Sequence, residues 1–333
     1  MKMRPTQRRS KQKLLTVLIV AAVLTLSACG PSSDQRVIAG NQADGLAGVD
    51  RPDPSELTAR ELVLAAMSLQ VSESSRASAT TDMGDAGSNT AEYEIDAYGN
   101  TRTTTFQQLV PGDPGSLSSH EVLDVDGVGY IRLSIPDEQL GESEIEIPDG
   151  WMTMGRETME LFGVSCGPPV PGSVLDSEAC VPPNDLSGMT DFVLEAAIVG
   201  RESVRGVETI RVQSALDFKS LMEEALDDGS VEGFMDLVVA MMPSELPLEL
   251  WVDDDLRVHR MSMDVTPNLE ALGEELGEEI DEVPTVIVVM DFYDFGADIT
   301  IEAPPADEII GEFGEWLEKL GFPGLVADPI STA

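Results

Sequence analysis

Glu121-Val122-Leu123-Asp124-Val125-Asp126-Gly127-Val128-Gly129-Tyr130-Ile131-Arg132-Leu133 decides the fold class. Two short runs rich in β-branched and apolar residues flank Asp126-Gly127, and Asp-Gly is a favoured two-residue turn of an antiparallel hairpin. The reading is a strand over 121–125, a turn, and a strand over 128–133. The same punctuation continues on both sides. Upstream, residues 91–98 alternate and Gly99-Asn100 turns them into 101–109. Downstream, 145–148 and 151–154 lie either side of Asp149-Gly150. Strand and turn signals repeated in this way predict an antiparallel meander.

A helix signal precedes the meander. Asp53-Pro54-Ser55-Glu56 supplies an N-cap, a proline suited to the first helical position and a capping-box glutamate. Leu57, Leu62, Ala65, Ala66 and Leu69 give that helix an apolar face, and from Ser72 alternation with turns takes over. After the meander, a short helix is expected near 186–195, then strands at 197–204 and 207–216 around Arg205-Gly206. Asp217 caps a helix through Ala225. A second helical run, 231–242, carries Phe234, Leu237, Val238 and Met241 on one face. Residues 246–252 and 258–265 form a hairpin around Asp253-Asp254-Asp255. The stretch 268–282 is acidic and compatible with a helix; 286–292 is a strand, and 299–301 begins the end of the domain. A last helix over 307–320 presents Ile309, Ile310, Phe313, Trp316 and Leu317 and stops at Gly321-Phe322-Pro323. This order lacks the βαβα alternation of a parallel, doubly wound sheet. The expected class is α+β, one large antiparallel sheet with helices against one face, and no internal repeat is visible.

The N-terminus is of another kind. Lys2, Arg4, Arg8, Arg9, Lys11 and Lys13 precede an apolar run over 14–26, about the length of a secretory h-region. A bilayer span needs ~20 apolar residues. Leu26-Ser27-Ala28-Cys29 follows and resembles the lipobox of bacterial lipoproteins, in which the peptide is cut before the cysteine and the thiol is acylated. Residues 1–28 then read as a signal peptide and 29–54 as a flexible tether rich in Gly, Ser, Asp, Ala and Gln. Lys+Arg total 20 against 61 Asp+Glu, a formal net charge of −41. Cleavage would remove only basic charges and leave the mature chain more acidic still. Such a surface repels nucleic acid and anionic headgroups, so membrane attachment falls to the lipid on Cys29. With that cysteine acylated, Cys166 and Cys180 remain as an even pair in an oxidising compartment, around Gly167-Pro168-Pro169-Val170-Pro171-Gly172. A disulfide there would close a loop worth roughly 3 kcal/mol.

The search for catalytic chemistry is largely negative. The chain has two histidines, His120 and His259; each lies beside a strand pattern and reads as a surface strand residue. No G-x-S-x-G, G-x-G-x-x-G, P-loop or H-E-x-x-H motif occurs. Asp124-Val125-Asp126-Gly127 and Asp253-Asp254-Asp255 cluster oxygens without the downstream glutamate of a calcium loop, and read as hairpin turns. Fifteen methionines, among them Met152, Met154, Met159, Met235, Met241, Met242, Met261 and Met263, suit either core packing or a surface that accepts varied apolar ligands. The reading is a non-enzyme without cofactor or metal.

The second half resembles a known family. Gly200-Arg201-Glu202-Ser203-Val204-Arg205-Gly206-Val207-Glu208-Thr209 looks like the G-x-E-x-V-x-G-V-x-T hairpin of the actinobacterial LppX/LprG-type lipoproteins, within the LolA/LolB-like half-barrel superfamily. Leu246-Pro247-Leu248-Glu249-Leu250-Trp251-Val252-Asp253, with Arg257-Val258-His259-Arg260, resembles that family's P-x-x-x-W-V-D and L-x-R strand pair. Asp294-Phe295-Gly296, with Ile299 through Ala303-Pro304, is similar to its closing segment, and Gly150-Trp151 matches its tryptophan strand loosely. The similarity covers residues 55–305. It implies a curved antiparallel β half-barrel with helices packed on the concave face and an apolar cavity for acyl chains. Such proteins carry or transfer lipids or lipoglycans and are not enzymes.

On that resemblance Phe234, Leu237, Val238 and Met241 would line the cavity from a helix, and Leu248, Leu250 and Val252 would face it from the sheet. A dry core suits the same seven positions equally, because cavity and core look alike in one sequence. The implied partners are a lipid or glycolipid ligand, the cell membrane through the N-terminal anchor, and an envelope protein. Nucleic acid is excluded. The cysteine loop, the acidic segment 268–282 and the helix 307–320 have no counterpart in the resemblance. The segment 306–333, a C-terminal helix and tail, would cap the cavity mouth, pack on the sheet or dock on a partner. The rival to a lipid carrier is an envelope sensor of the same fold with a filled core.

Overall fold

The computed structural model describes residues 52–70, 73–82, 88–108, 117–135, 147–155, 186–225, 243–266 and 285–319. Cys29 with the signal peptide and most of the tether, Cys166 and Cys180, the helical run 231–242 with Phe234, Leu237, Val238 and Met241, the acidic segment 268–282 and the chain beyond 319 lie outside the described residues.

The first element forms one step later than the sequence pattern suggests. Asp53 caps only a single 3-10 turn over Pro54–Glu56, accepting the Ser55 N–H at 2.8 Å. A second cap then opens helix α1, Ala59–Leu69. Thr58 accepts the Glu61 N–H while the Glu61 carboxylate accepts the Thr58 N–H at 2.9 Å, a complete capping box. One face of α1, Leu62, Val63, Ala66 and Met67, is fully buried.

Twelve strands follow: β1 (Ser75–Asp82), β2 (Ser88–Ile95), β3 (Thr101–Gln108), β4 (Leu117–Val125), β5 (Val128–Ser134), β6 (Trp151–Met154), β7 (Val193–Val204), β8 (Val207–Asp217), β9 (Glu245–Val252), β10 (Val258–Asp264), β11 (Ile287–Tyr293) and β12 (Ile309–Glu312). They form one sheet in the order β12-β6-β5-β4-β3-β2-β1-β11-β10-β9-β8-β7. Every pairing is antiparallel except β12 on β6. The hairpin at Asp126-Gly127 forms with both turn residues at positive φ, 53° and 76°, which is what a two-residue turn matched to strand twist requires. Helix α2, Phe218–Ala225, opens with the Asp217 carboxylate accepting the Ser220 N–H at 3.0 Å.

The sheet is an open, curved half-barrel. One continuous buried cluster gathers α1 and inward-facing residues of seven adjacent strands, β2, β1, β11, β10, β9, β8 and β7. Six strand spacings would make that stretch about 29 Å wide if flat, far more than one helix of ~10 Å diameter covers. α1 is tied to the β7 edge of this stretch and to β10, its middle strand. Arg60, near the start of α1, donates to the Val193 carbonyl on β7. Gln70, just past its end, exchanges hydrogen bonds with the Val258 backbone on β10 at 2.9 and 3.2 Å.

The C-terminal segment departs from the sequence expectation. The predicted helix over 307–320 is instead strand β12 followed by a shorter helix α3, Phe313–Lys319. Residues 294–319 form a strap around the β4–β6 end. Ile299 and Ile301 pack with Leu123, Val125, Tyr130 and Trp151 on the convex face. β12 then lies along β6, and α3 sets Phe313, Trp316 and Leu317 on Val122, Ile131, Met152 and Met154 of the concave face. The short helix expected near 186–195 is a 3-10 turn over Ser187–Phe192, and β7 begins directly after it.

Candidate functional site

Strand register places the concave face residue by residue. One row runs Phe292 (β11), Ala77 (β1), Tyr93 (β2), Thr103 (β3), Val122 (β4), Ile131 (β5) and Met152 (β6). The next runs Met290, Ala79, Ala91, Thr105, His120 and Leu133, and beyond it lie Val288, Thr81, Asn89, Gln107 and Ser118. On the other side of the first row are Ile95, Thr101, Asp124, Gly129 and Met154.

Among the described residues the apolar surface on this face divides in two. The large cluster under α1 ends at Ala91 and Tyr93 on β2, and the smaller one under α3 begins at Val122 on β4. Between them β3 contributes Thr101, Thr103, Thr105 and Gln107, bordered by alanines at 77, 79 and 91. The side chains in this interval are small, and Ala77, Ala79, Ala91 and Thr105 are 0%, 5%, 6% and 4% exposed.

Buried polar groups border this strip. Asp124 is 5% exposed, its Oδ1 has no hydrogen-bond partner, and burial pushes its carboxyl up to about 6. Burial pulls the His120 imidazole down to about 4, so it is neutral at neutral pH. The buried Tyr93 hydroxyl is pushed up to about 12 and stays un-ionised. Asn89 Oδ1 is buried and unpartnered.

Of the seven cavity candidates named from the sequence, Leu248, Leu250 and Val252 fall within the described residues; they are on β9 and fully buried in the large cluster under α1. Met67, Met261, Met263 and Met290 join that cluster, and Met152 and Met154 lie in the smaller one. Residues that the sequence reading passed over, Ala91, Thr103, Thr105 and Asn89, occupy the interval between the clusters. Their signal is the run Thr101-Arg102-Thr103-Thr104-Thr105, a strand with hydroxyls on both faces and no aliphatic residue.

The histidine expectation needs correcting for His259. It is 7% exposed, its Nε2 is 2.8 Å from Asp253 Oδ2, and its ring meets Phe295 edge-on at 5.2 Å. Burial on β10 follows from a small break in the β9–β10 register between Val258 and Arg260. The Asp253 carboxylate also accepts the N–H groups of Asp255 and Arg257 at 2.9 and 2.8 Å, so it is spent on the turn. Beside it, Gln70, Glu73, Leu256, Arg257 and Phe295 line a cleft whose cavity volume of about 10 Å³ is that of a water site. Among the described residues no group of three or more His, Cys, Asp or Glu is placed to hold a metal ion. No helix among them is long and apolar enough to cross a membrane.

No family model matches the chain, and no curated protein matches it. Solved structures do. LprF from Mycobacterium bovis is similar at 14% identity with a TM-score of 0.38, over 77% of this chain and 99% of that one. The lipoprotein LppX from Mycobacterium tuberculosis is similar at 14% identity and 0.33, over 72% and 97%. A LolA superfamily protein from Nitrosomonas europaea is similar at 11% identity and 0.22, over 75% and 96%. Both kinds of structure named by the sequence resemblance are thus among the matches.

Proposed function

We propose that this chain is an envelope lipoprotein, anchored through Cys29 on the extracytoplasmic face of the cell membrane, that binds an acylated lipid on its concave face and carries or transfers it. It acts by binding, without catalysis or cofactor. One observation carries the reading: among the described residues the concave face holds two apolar clusters with the threonines of β3 between them. An acyl chain laid along that strip meets apolar walls on both sides, at ~0.8 kcal/mol per buried methylene. The lipobox supplies the address, and Cys29→Ala is expected to release the protein from membranes; retention there would sink the anchoring claim.

The direct test combines extraction and filling. Protein purified from its host is expected to yield an acylated lipid on organic extraction, read by mass spectrometry. Thr103→Phe is expected to abolish that yield with little loss of stability, because the new ring takes the ligand's place. In a closely packed core the same enlargement costs typically 1–3 kcal/mol. A destabilised Thr103→Phe protein, together with an empty wild type, would overturn the reading.

A second reading, a sensor that binds an envelope protein, is favoured by one feature. Strand β7 is an end of the sheet, with Ile198 and Val199 about half exposed on it. A sheet edge unpaired among the described residues and carrying apolar side chains can accept an added strand. Loss of a co-purifying protein in Ile198→Lys, with lipid content unchanged, would favour this reading.

A further inference from the structure

We propose that helix α3 is a built-in competitor of the ligand: in the empty protein it occupies an apolar patch on the concave face, and an acyl chain binds by displacing it. The inference rests on the lipid-binding reading above and adds how the site is closed and opened. The patch is Val122, Ile131, Met152 and Met154, at 3%, 0%, 2% and 5% exposure, covered by Phe313 of α3 at 2%. The Phe313 ring stacks on Trp316 with centroids 5.4 Å apart, and Leu317 packs beside them. A patch so fully covered offers a ligand no free surface. A chain reaches it only by taking the place of what lies there. Two of its four residues are methionines, whose flexible thioethers repack around different apolar partners. That suits a patch with two alternative occupants.

α1 and α3 lie on the same face and are held very differently. α1 buries Leu62, Val63, Ala66 and Met67 completely, and hydrogen bonds tie it to β7 near its start and to β10 past its end. α3 has seven residues, of which Phe313 is buried while Trp316 and Leu317 are half-buried. It follows β12, which pairs with β6 through three residues across a register break and leaves Ile310, Gly311 and Glu312 exposed. Few buried side chains and an exposed strand mark an element that opens locally at low cost. The rest of the strap can stay behind. Ile301, 4% exposed, anchors it on the convex face, and from Glu302 to Glu308 every residue except Pro304 is exposed. α3 can therefore leave the patch while still tied to the sheet, and its high effective concentration returns it once the ligand has gone.

The test uses delipidated full-length protein and 1-oleoylglycerol, an uncharged probe that the net negative charge of the chain does not repel. A bound ligand ordinarily protects a fold, yet here the probe is expected to speed cleavage within residues 308–319 by a glutamate-specific protease about fivefold. Leu317→Glu, which sets a charge against the patch, is expected to bind the probe about tenfold more tightly than wild type, because more of the protein already stands in the open state. Phe313→Ala is the second variant and is expected to tighten binding in the same sense, even as it lowers the melting temperature. Weaker or unchanged binding in both variants, or binding by wild type without faster cleavage of 308–319, overturns the role given to α3 and leaves lipid binding standing. Failure of wild type and both variants to bind the probe removes the lipid-binding reading itself.

Discussion

Asp96 and Asp253 solve the same local problem in two hairpins. Each carboxylate accepts the N–H groups two and four residues on, Tyr98 and Asn100 in one case, Asp255 and Arg257 in the other. The residue three on is left-handed: Gly99 at φ 86°, Leu256 at φ 63°. Leucine is held in that conformation because its side chain is 1% exposed in the core. Asp253 also pairs with His259, so Asp253→Ala strands two turn N–H groups and a buried imidazole. A loss of about 3 kcal/mol is expected in urea unfolding, while the exposed neighbour Asp254→Ala should stay within about 0.5 kcal/mol. Asp124 gives a pH signature of the opposite kind. Burial raises its carboxyl from 3.8 to about 6, so the folded state keeps a proton that the unfolded chain has released. Its contribution to stability therefore grows as pH falls from above 6 toward 3.8, and is level outside that window. The full span is about 3 kcal/mol. Asp124→Asn is expected to be the more stable protein at pH 8 and to lose this component of the slope, read as the difference between the two proteins' stabilities at pH 8 and pH 5. Identical slopes would show that the carboxyl is already hydrated in the fold.

At the scale of elements, the strap of residues 294–319 holds the β4–β6 end from both sides. It passes Gly150 at close range: a Cβ there would stand 2.8 Å from the Ile310 side chain and 3.0 Å from the Glu308 carbonyl. That carbonyl accepts the Trp151 N–H at 3.0 Å. Gly150→Ala is thus expected to displace β12, and Phe313→Ala, which empties the smaller concave cluster, to cost about 3–5 kcal/mol. Limited proteolysis should then cut the strap first; unchanged protection would show that it carries little of the packing. The strap also marks where the sequence stopped being readable. Ile309, Ile310, Phe313, Trp316 and Leu317 fit a helical period, yet Ile309 packs with the convex cluster while Phe313, Trp316 and Leu317 pack on the concave one. A segment crossing a sheet edge mixes two faces, and no single period describes it. β1 was hidden for a related reason. Ser75-Arg76-Ala77-Ser78-Ala79-Thr80-Thr81-Asp82 has only two alanines to bury, and they pack in the large cluster beside the bulkier Phe292 and Met290 of β11, so the strand shows little apolar alternation of its own. The meander of β2 to β5 was legible because its turns carry Gly99-Asn100 and Asp126-Gly127, and local turn chemistry needs no knowledge of distant partners. The strip itself became visible only when register set Ala91, Thr103 and Val122 side by side.

Across the whole molecule, charge is sorted by face. The convex side carries a chain of alternating partners: Asp294–Arg76 at 3.0 Å, Arg76–Glu94 at 2.9 Å, Glu94–Arg102 at 3.6 Å and Arg102–Glu121 at 3.2 Å, with Arg132 joining Glu121 and lying 4.7 Å over Trp151. Toward the other end, Trp251 donates to Glu202 at 2.7 Å between Arg211 and Arg260, whose guanidinium groups lie 5.2 and 5.8 Å from its ring. Many of the described arginines are committed to that outer wall, while the chain as a whole carries a net charge of −41. Two electrostatic effects then compete. Partly exposed pairs of this kind contribute about 0–1 kcal/mol each and weaken with salt, whereas repulsion among unbalanced carboxylates acts over the Debye length, ~30 Å at 0.01 M and ~3 Å at 1 M. With 61 acidic residues against 20 basic ones, repulsion outweighs the pairs. Raising sodium chloride from about 0.02 to 0.5 M is therefore expected to raise the melting temperature by several degrees, since 1 kcal/mol corresponds to roughly 2–4 °C in a domain of this size. A fall in melting temperature over the same range would mean that the convex ladder outweighs the net charge. Arg76→Gln and Arg102→Gln should then steepen the salt dependence if repulsion dominates, because each removes a cation that offsets its neighbours, and should flatten it if the ladder does.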